Sequence, residues 1–122
     1  MKTRNDFKMI FDRFGSLSDG TKKSTHELIF LYLEAMSVHM AELAEAVKSA
    51  EAKNMGLIAH TASGLNEMIG AFSLSSLFRD LESKAHAGRF DGVKNTLKEI
   101  NEEFELARKR FREYAESLTA SP

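Results

Sequence analysis

The chain has 122 residues, of which 43% are hydrophobic and 29% charged, and its formal net charge is -1. These values are typical of a single globular domain over residues 1–122 and give no argument for nucleic acid as a partner. The lack of cysteine excludes disulfides and thiolate metal sites. Because no apolar run approaches the roughly 18 residues of a membrane span and no signal peptide is evident, we expect a cytoplasmic protein without membrane insertion. The single proline is Pro122, so long helices are permitted and an all-α fold is favoured.

A short amphipathic helix is predicted near the N-terminus, over residues 4–14. Its apolar face consists of residues at helical spacing: Phe7, Ile10, Phe11 and Phe14. Residues 15–20 are predicted to form a loop, because glycine, serine and aspartate dominate that stretch. We expect residues 1–23 to form this helix and loop, and the helix to cover one end of a bundle built from residues 24–118.

The second predicted helix is the first long one. Ser24 or Thr25 can cap its N-terminus, with Glu27 placed three residues after Ser24 as in a capping box. Its apolar stripe recurs in steps of four and three: Ile29, Leu33, Met36, Met40, Leu43, Val47 and Ala50. Three more apolar residues lie outside the stripe and need cover, which the N-terminal helix could supply: Leu28, Phe30 and Leu31.

Three further helices complete the predicted bundle. One contains His60 and ends near Met68, with Gly70 as its C-terminal cap. The next covers about residues 73–88, and the last about residues 91–118. Each has an apolar stripe at helical spacing. Four long helices with short connections predict an antiparallel four-helix bundle.

His60 is predicted to project into solvent from its helix. The apolar residues of that helix lie on the opposite side: Met55, Ile58, Ala62, Leu65 and Ile69. Side chains lean toward the helix N-terminus, so the residue four positions after His60 lies over the imidazole, and Gly64 leaves that space open. We interpret Gly56 as leaving room on the other side of the ring. A glycine within a helix costs about 1 kcal/mol relative to alanine, so this arrangement indicates a ring that another molecule approaches.

A metal site is the first alternative that the four histidines raise. Bundles that bind two iron or manganese ions use Glu-x-x-His pairs, but the residues three positions before the histidines are not acidic: Lys23, Met36, Leu57 and Ser83. Glu82 and His86 could share a helix face, although such a pair more often makes a surface contact. We therefore predict no metal site.

Nucleophilic hydrolysis is the second alternative, because Ser63 lies three residues after His60. The sequence has no glycine-flanked nucleophile elbow and no signal of an oxyanion hole. Most pairs of serine and histidine at this spacing on a helix are accidental neighbours. We therefore do not predict a hydrolase.

A set of spaced residues links the His60 helix to the following one. Ala59-His60-Thr61-x-x-Gly64 is followed by Gly70-Ala71, and then by Leu81-Glu82 and Gly88. This joint spacing resembles the histidine-containing phosphotransfer (HPt) domain of two-component phosphorelays, whose pattern is roughly A-H-x-L-K-G, a later G-A, and then L-E. The resemblance covers about residues 26–116.

The resemblance implies a phosphoryl carrier rather than a self-standing enzyme, and the chain has no ATP-binding motif of a kinase. His60 would accept a phosphoryl group from a receiver-domain aspartate and pass it to another response regulator. Four residues would form the phosphate environment: Ser63, Gly64, Glu67 and Glu82. Three would form the docking surface for the partner: Leu57, Met68 and Lys53. The expected partners are response-regulator receiver domains, which would supply magnesium, and a hybrid sensor histidine kinase; the chain itself would need no cofactor and would be a monomer.

Two positions depart from the family pattern. Ser63 stands where the family usually has a lysine, and Ala62 stands where leucine is common. A lysine offers the phosphohistidine a positive charge, whereas a hydroxyl offers a hydrogen bond about half as strong as a charge-assisted one. Three other cations could compensate: Lys53, Arg79 and Lys84. Two functions therefore stay open, namely a phosphoryl carrier and an HPt-like interaction module that docks to a receiver domain or kinase without phosphotransfer.

Overall fold

The computed structural model describes residues 6–119, and this part of the chain forms five α-helices and no strand. In chain order they are α1 (Phe7–Leu17), α2 (Lys22–Lys48), α3 (Ala52–Met68), α4 (Phe72–His86) and α5 (Val93–Thr119). The predicted all-α class is confirmed. Residues 4 and 5 of the predicted N-terminal helix, and Pro122, lie outside the described residues.

The four long helices form the predicted antiparallel bundle. α2 packs on α3 and α5, and α4 packs on the same two helices, so the four helices form a ring around one core. The most extensive of these contacts joins α3 to α4. Connections of three to six residues reverse the chain between successive helices. None of the five helices is long and apolar enough to cross a membrane.

The predicted apolar stripes supply the core of the bundle. Their fully buried side chains include Ile29, Met36, Leu43, Met55, Leu81, Ile100 and Phe111. Burial of such a side chain contributes about 1.5–3 kcal/mol to folding. The assignment of Ala50 to the α2 stripe was wrong, because α2 ends at Lys48 and Ala50 is an exposed turn residue with a φ of 52°.

The short helix α1 covers one end of the bundle with aromatic side chains, as predicted. Phe14 packs edge-on against Tyr32 of α2 and Phe111 of α5, with ring centroids 5.7 and 5.5 Å away. Leu31 remains 61% exposed, so the expectation that α1 would cover it was wrong. The adjacent Tyr32 takes the position that faces α1, and successive helix positions point about 100° apart.

The boundary between α1 and α2 also differs from the prediction. α1 continues through Gly15 to Leu17 instead of ending at residue 14, because the Ser18 N–H still bonds to the Phe14 carbonyl at 3.1 Å. The segment that the sequence assigned to a loop therefore contributes almost one more helical turn. Two of the three added residues, Ser16 and Leu17, are exposed.

The N-terminal cap of α2 is Thr21. Its Oγ1 accepts a hydrogen bond from the Ser24 N–H at 3.1 Å, and Asp19 in turn accepts bonds from the Thr21 N–H at 2.9 Å and from its hydroxyl at 2.7 Å. The prediction of a cap at Ser24 or Thr25 was wrong, because both lie within the helix. The loop itself supplies the cap.

Candidate functional site

His60 projects from the middle of α3 into solvent. Its side chain is 73% exposed, whereas Met55, Ala59 and Ala62 on the other side of the helix are fully buried. The apolar stripe therefore fixes the rotation of α3 and turns position 60 outward, as the helix geometry predicted.

Glu82 of α4 holds one nitrogen of the His60 ring. His60 Nδ1 lies 2.8 Å from Glu82 Oε2, and the Glu82 side chain is only 22% exposed. An ionised carboxylate can only accept hydrogen bonds, so Nδ1 is the donor in this pair. In the neutral ring the lone pair then resides on Nε2, the nitrogen that remains open to an incoming group.

Glu82 also lies near His86, a pairing on one helix face that the sequence analysis considered only as a metal site. His86 Nε2 is 3.6 Å from the same Oε2 atom, too far for a hydrogen bond but close enough for an electrostatic contact when His86 is protonated. The spacing of four residues on α4 was the available signal for this contact. Within residues 6–119, no group of three or more histidine, aspartate or glutamate side chains is arranged to hold a metal ion.

A shallow groove of about 280 Å³ lies between α3 and α4 beside the His60 ring. It is lined by Ala52, Lys53, Gly56, Leu57, His60, Glu82, Ala85 and His86. Leu57 is 59% exposed, and Lys53 has no ion pair or hydrogen bond to the described residues. The groove therefore brings together one exposed apolar side chain and one unpaired cation next to the imidazole.

The two glycines of α3 have different roles. A Cβ at Gly64 would have no heavy atom within 4 Å, so the space over the imidazole is open, as predicted. A Cβ at Gly56 would lie 3.2 Å from the Ala85 Cβ of α4. Gly56 lines the groove beside the ring, and this buried glycine also allows α3 and α4 to approach each other closely, a packing role that the sequence analysis did not foresee.

Ser63 is directed into the protein. It is 5% exposed, and its hydroxyl donates to the His60 carbonyl at 2.9 Å. Its own carbonyl accepts a hydrogen bond from the Ser75 hydroxyl at 3.0 Å. The hydroxyl proton of Ser63 is therefore already engaged and is not available to a group on the imidazole.

Two of the other cations that the sequence raised have acidic partners. Arg79 of α4 forms an ion pair with Glu67 of α3, and both side chains are about half exposed. Lys84 bonds to Asp80 at 3.0 Å and approaches Thr96 of α5 at 3.5 Å, so it faces the interface between α4 and α5. Of these three cations, Arg79 and Lys53 thus lie on the α3–α4 side of the bundle.

Met68 lies at the C-terminal end of α3 and is 49% exposed. Phe72, at the start of α4, is also exposed at 44%, and the sequence analysis did not single it out. Its place at the first position of α4, before the apolar stripe of that helix, was the signal that could have revealed it. Leu57 and Met68 are therefore both accessible, three residues before His60 and eight residues after it.

The comparisons with known proteins identify the fold. No protein-family model matches the chain, and no curated protein does. The crystal structure of histidine-containing phosphotransfer protein B from Pseudomonas aeruginosa PAO1 superposes with a TM-score of 0.82 over 96% of this chain and 98% of that one, at 18% sequence identity. The chain therefore has the fold of a histidine-containing phosphotransfer protein.

Proposed function

We propose that this protein is a phosphorelay intermediate that accepts a phosphoryl group on His60 and passes it to a response regulator. The observation that carries this proposal is the state of the His60 ring, which is exposed, fixed at Nδ1 by Glu82 and open at Nε2 beside Gly64. A phosphoryl carrier needs this combination of a defined nucleophilic nitrogen and free space next to it.

The chemical step follows from this geometry. The Nε2 lone pair attacks the phosphorus of a receiver-domain phosphoaspartate, an N–P bond forms, and the aspartyl oxygen leaves with the electron pair of the broken P–O bond. The ring gains positive charge as the bond forms, and the Glu82 carboxylate at Nδ1 stabilises that charge. Return transfer to another receiver domain reverses the step.

The partner would supply what this chain lacks. A magnesium ion on the receiver domain would neutralise the phosphoryl oxygens, because phosphoryl transfer depends mainly on positioning and charge stabilisation. Leu57, Met68 and Lys53 would contact the receiver domain around the acceptor ring. We place this exchange in the cytoplasm, with the chain acting as a monomer downstream of a hybrid sensor histidine kinase.

Transfer of label tests the proposal. Receiver domains of the source organism are phosphorylated on aspartate with labelled acetyl phosphate, freed of the donor and mixed with the protein. A carrier gains label that is stable in base and labile in acid, as expected of phosphohistidine. Absence of such label with every receiver domain would contradict the proposal.

One observation favours a second function, that of an interaction module without phosphotransfer. Ser63 occupies the position of the family lysine, and its hydroxyl is engaged by the His60 carbonyl. Such a module would bind a receiver domain but acquire no label from it. The same mixing experiment, combined with a binding measurement by calorimetry, distinguishes the two functions.

A further inference from the structure

The open space over Gly64 lies between two features of α3. His60 stands before it, and Glu67 stands three residues after it with its carboxylate paired to Arg79. Positions seven residues apart lie on nearly the same side of a helix, separated by about 10.5 Å along its axis. The guanidinium of Arg79 is therefore held on the side of the gap opposite the imidazole.

The register of α4 brings Arg79 close to the acceptor ring. Arg79 lies three residues before Glu82, which is about 4.5 Å along the axis, and Glu82 already contacts His60. Arg79 is thus about one helical turn from the residue that holds the ring. Its long side chain is directed toward the gap over Gly64, where a Cβ would meet no heavy atom within 4 Å.

The ion pair between Arg79 and Glu67 is well suited to exchange. Both side chains are about half exposed, and exposed ion pairs contribute little to stability. A phosphoryl group offers more negative charge than one carboxylate, and a guanidinium can bind two of its oxygens at once. Arg79 would therefore favour a phosphoryl group over Glu67.

The other two cations fit this position less well. Lys84 is bonded to Asp80 and directed toward Thr96 of α5. Lys53 lines the groove seven residues before His60, so it lies on the N-terminal side of the ring, whereas Gly64 lies on the C-terminal side. Ser63 has no free hydroxyl proton.

We propose that the space over Gly64 is a phosphoryl-binding subsite whose cation is Arg79, which leaves Glu67 when His60 is phosphorylated. Arg79 thereby takes the part that a lysine three residues after the histidine would otherwise play. This inference rests on the proposed function, because the subsite is filled only when His60 carries a phosphoryl group.

Potassium phosphoramidate tests the subsite without any partner protein. In this reaction Nε2 of His60 forms the N–P bond, the P–N bond of phosphoramidate breaks, and ammonia leaves. The rate of phosphohistidine formation is followed by phosphorus NMR. We expect Arg79→Gln to slow it by about threefold to tenfold, the scale of a lost charge-assisted hydrogen bond at an exposed site, and Arg79→Lys to restore most of the rate.

Two further variants sharpen the result. Glu67→Gln releases Arg79 and removes a negative charge, so we expect it to accelerate the reaction. Arg89→Gln is the matched control, because Arg89 is also an exposed arginine paired with a carboxylate, at Asp91 beyond the end of α4. Its rate and its melting temperature should equal those of the wild type.

A spectroscopic readout separates a phosphate contact from a structural role. The Nε–Hε resonance of Arg79 should shift on phosphorylation of the wild type, while that of Arg89 should not. Three results would overturn the subsite and leave the proposed function standing. They are an unchanged rate in Arg79→Gln, a slower rate in Glu67→Gln, and a rate that falls in Lys53→Gln but not in Arg79→Gln. A wild type that forms no phosphohistidine would overturn both.

Discussion

His60 Nδ1 and Glu82 Oε2 lie 2.8 Å apart, so a residue of α4 sets the orientation of a ring that α3 carries. The contact joins the two helices that pack most extensively in the bundle. The site is therefore a property of the α3–α4 pair rather than of the histidine helix alone.

The first prediction concerns Glu82. Glu82→Gln keeps an oxygen that can accept from Nδ1 but removes the charge that stabilises the positive ring in the transition state. We expect phosphohistidine formation from phosphoramidate to slow by about tenfold, the scale expected when a charge-assisted hydrogen bond becomes a neutral one. Glu102→Gln on α5 is the control, and an equal loss in that variant would contradict the assignment.

The second prediction separates the two glycines of α3. Gly64→Ala should stabilise the protein by about 0.5–1 kcal/mol, because alanine is the better helix former and its Cβ meets nothing within 4 Å. The same methyl group enters the proposed phosphoryl space, so phosphorylation should slow. Gly56→Ala should gain less stability, since Ala85 lies 3.2 Å from the new Cβ. Chemical denaturation of the two variants checks this order, and a larger gain at Gly56 would contradict it.

The third prediction concerns the buried polar contact between α2 and α3. The Tyr32 hydroxyl donates to Asn66 Oδ1 at 2.6 Å, and Asn66 is fully buried. Tyr32→Phe leaves that oxygen without a partner, so we expect a loss of about 1–3 kcal/mol. Tyr114→Phe keeps the ring stacked on Phe11, so it should lower the free energy of unfolding less than Tyr32→Phe does in the same denaturation experiment.

Because of the same tyrosine, we expect the free energy of unfolding to fall at alkaline pH. Burial raises the pKa of Tyr32 above its ordinary value of 10.0, so the folded protein keeps a proton that the unfolded chain loses. The contribution of Tyr32 to stability is complete below about pH 10. It falls as the pH rises from the pKa of the unfolded state toward the higher pKa of the folded state. Tyr32→Phe should reduce this decline above about pH 10, and an identical decline in both proteins would contradict the account.

The fourth prediction concerns the docking surface. Leu57→Ser changes an exposed side chain beside the acceptor ring, so the fold and the reaction with phosphoramidate should be unchanged apart from small effects. Transfer from a phosphorylated receiver domain should slow by roughly tenfold, the usual scale for loss of an apolar anchor at an interface. Val38→Ser on α2 is the matched control, because Val38 is exposed to a similar degree at 52%. Equal transfer rates for Leu57→Ser and wild type would place the docking surface elsewhere.

Much of the fold could be predicted because each helix carries its own periodic pattern. The apolar stripes of α2 and α5 predict which faces of these helices are buried. The exposure of His60 follows from the apolar stripe of α3 alone. The cap at Thr21 was missed because Ser24 and Glu27 have the spacing of a capping box, and only the loop geometry around Asp19 selects Thr21.

The parts of the site that sequence could not supply depend on how α4 is placed against α3. Gly56 and Gly64 look alike in the sequence, and only the approach of Ala85 shows that one serves packing and the other leaves open space. Glu82 was named from a family resemblance, but its contact with Nδ1, and the pairing of Arg79 with Glu67, require the register between two helices. No periodicity within one helix specifies that register.

The most direct test is to locate the phosphoryl group itself. The protein, labelled with nitrogen-15 in its histidines, is treated with phosphoramidate, and long-range proton–nitrogen spectra identify which ring nitrogen carries phosphorus. We expect a single phosphorylated histidine, His60, modified at Nε2, and no such signal in His60→Gln. A phosphoryl group on Nδ1 of His60, on another histidine such as His86, or on none of them would contradict the account.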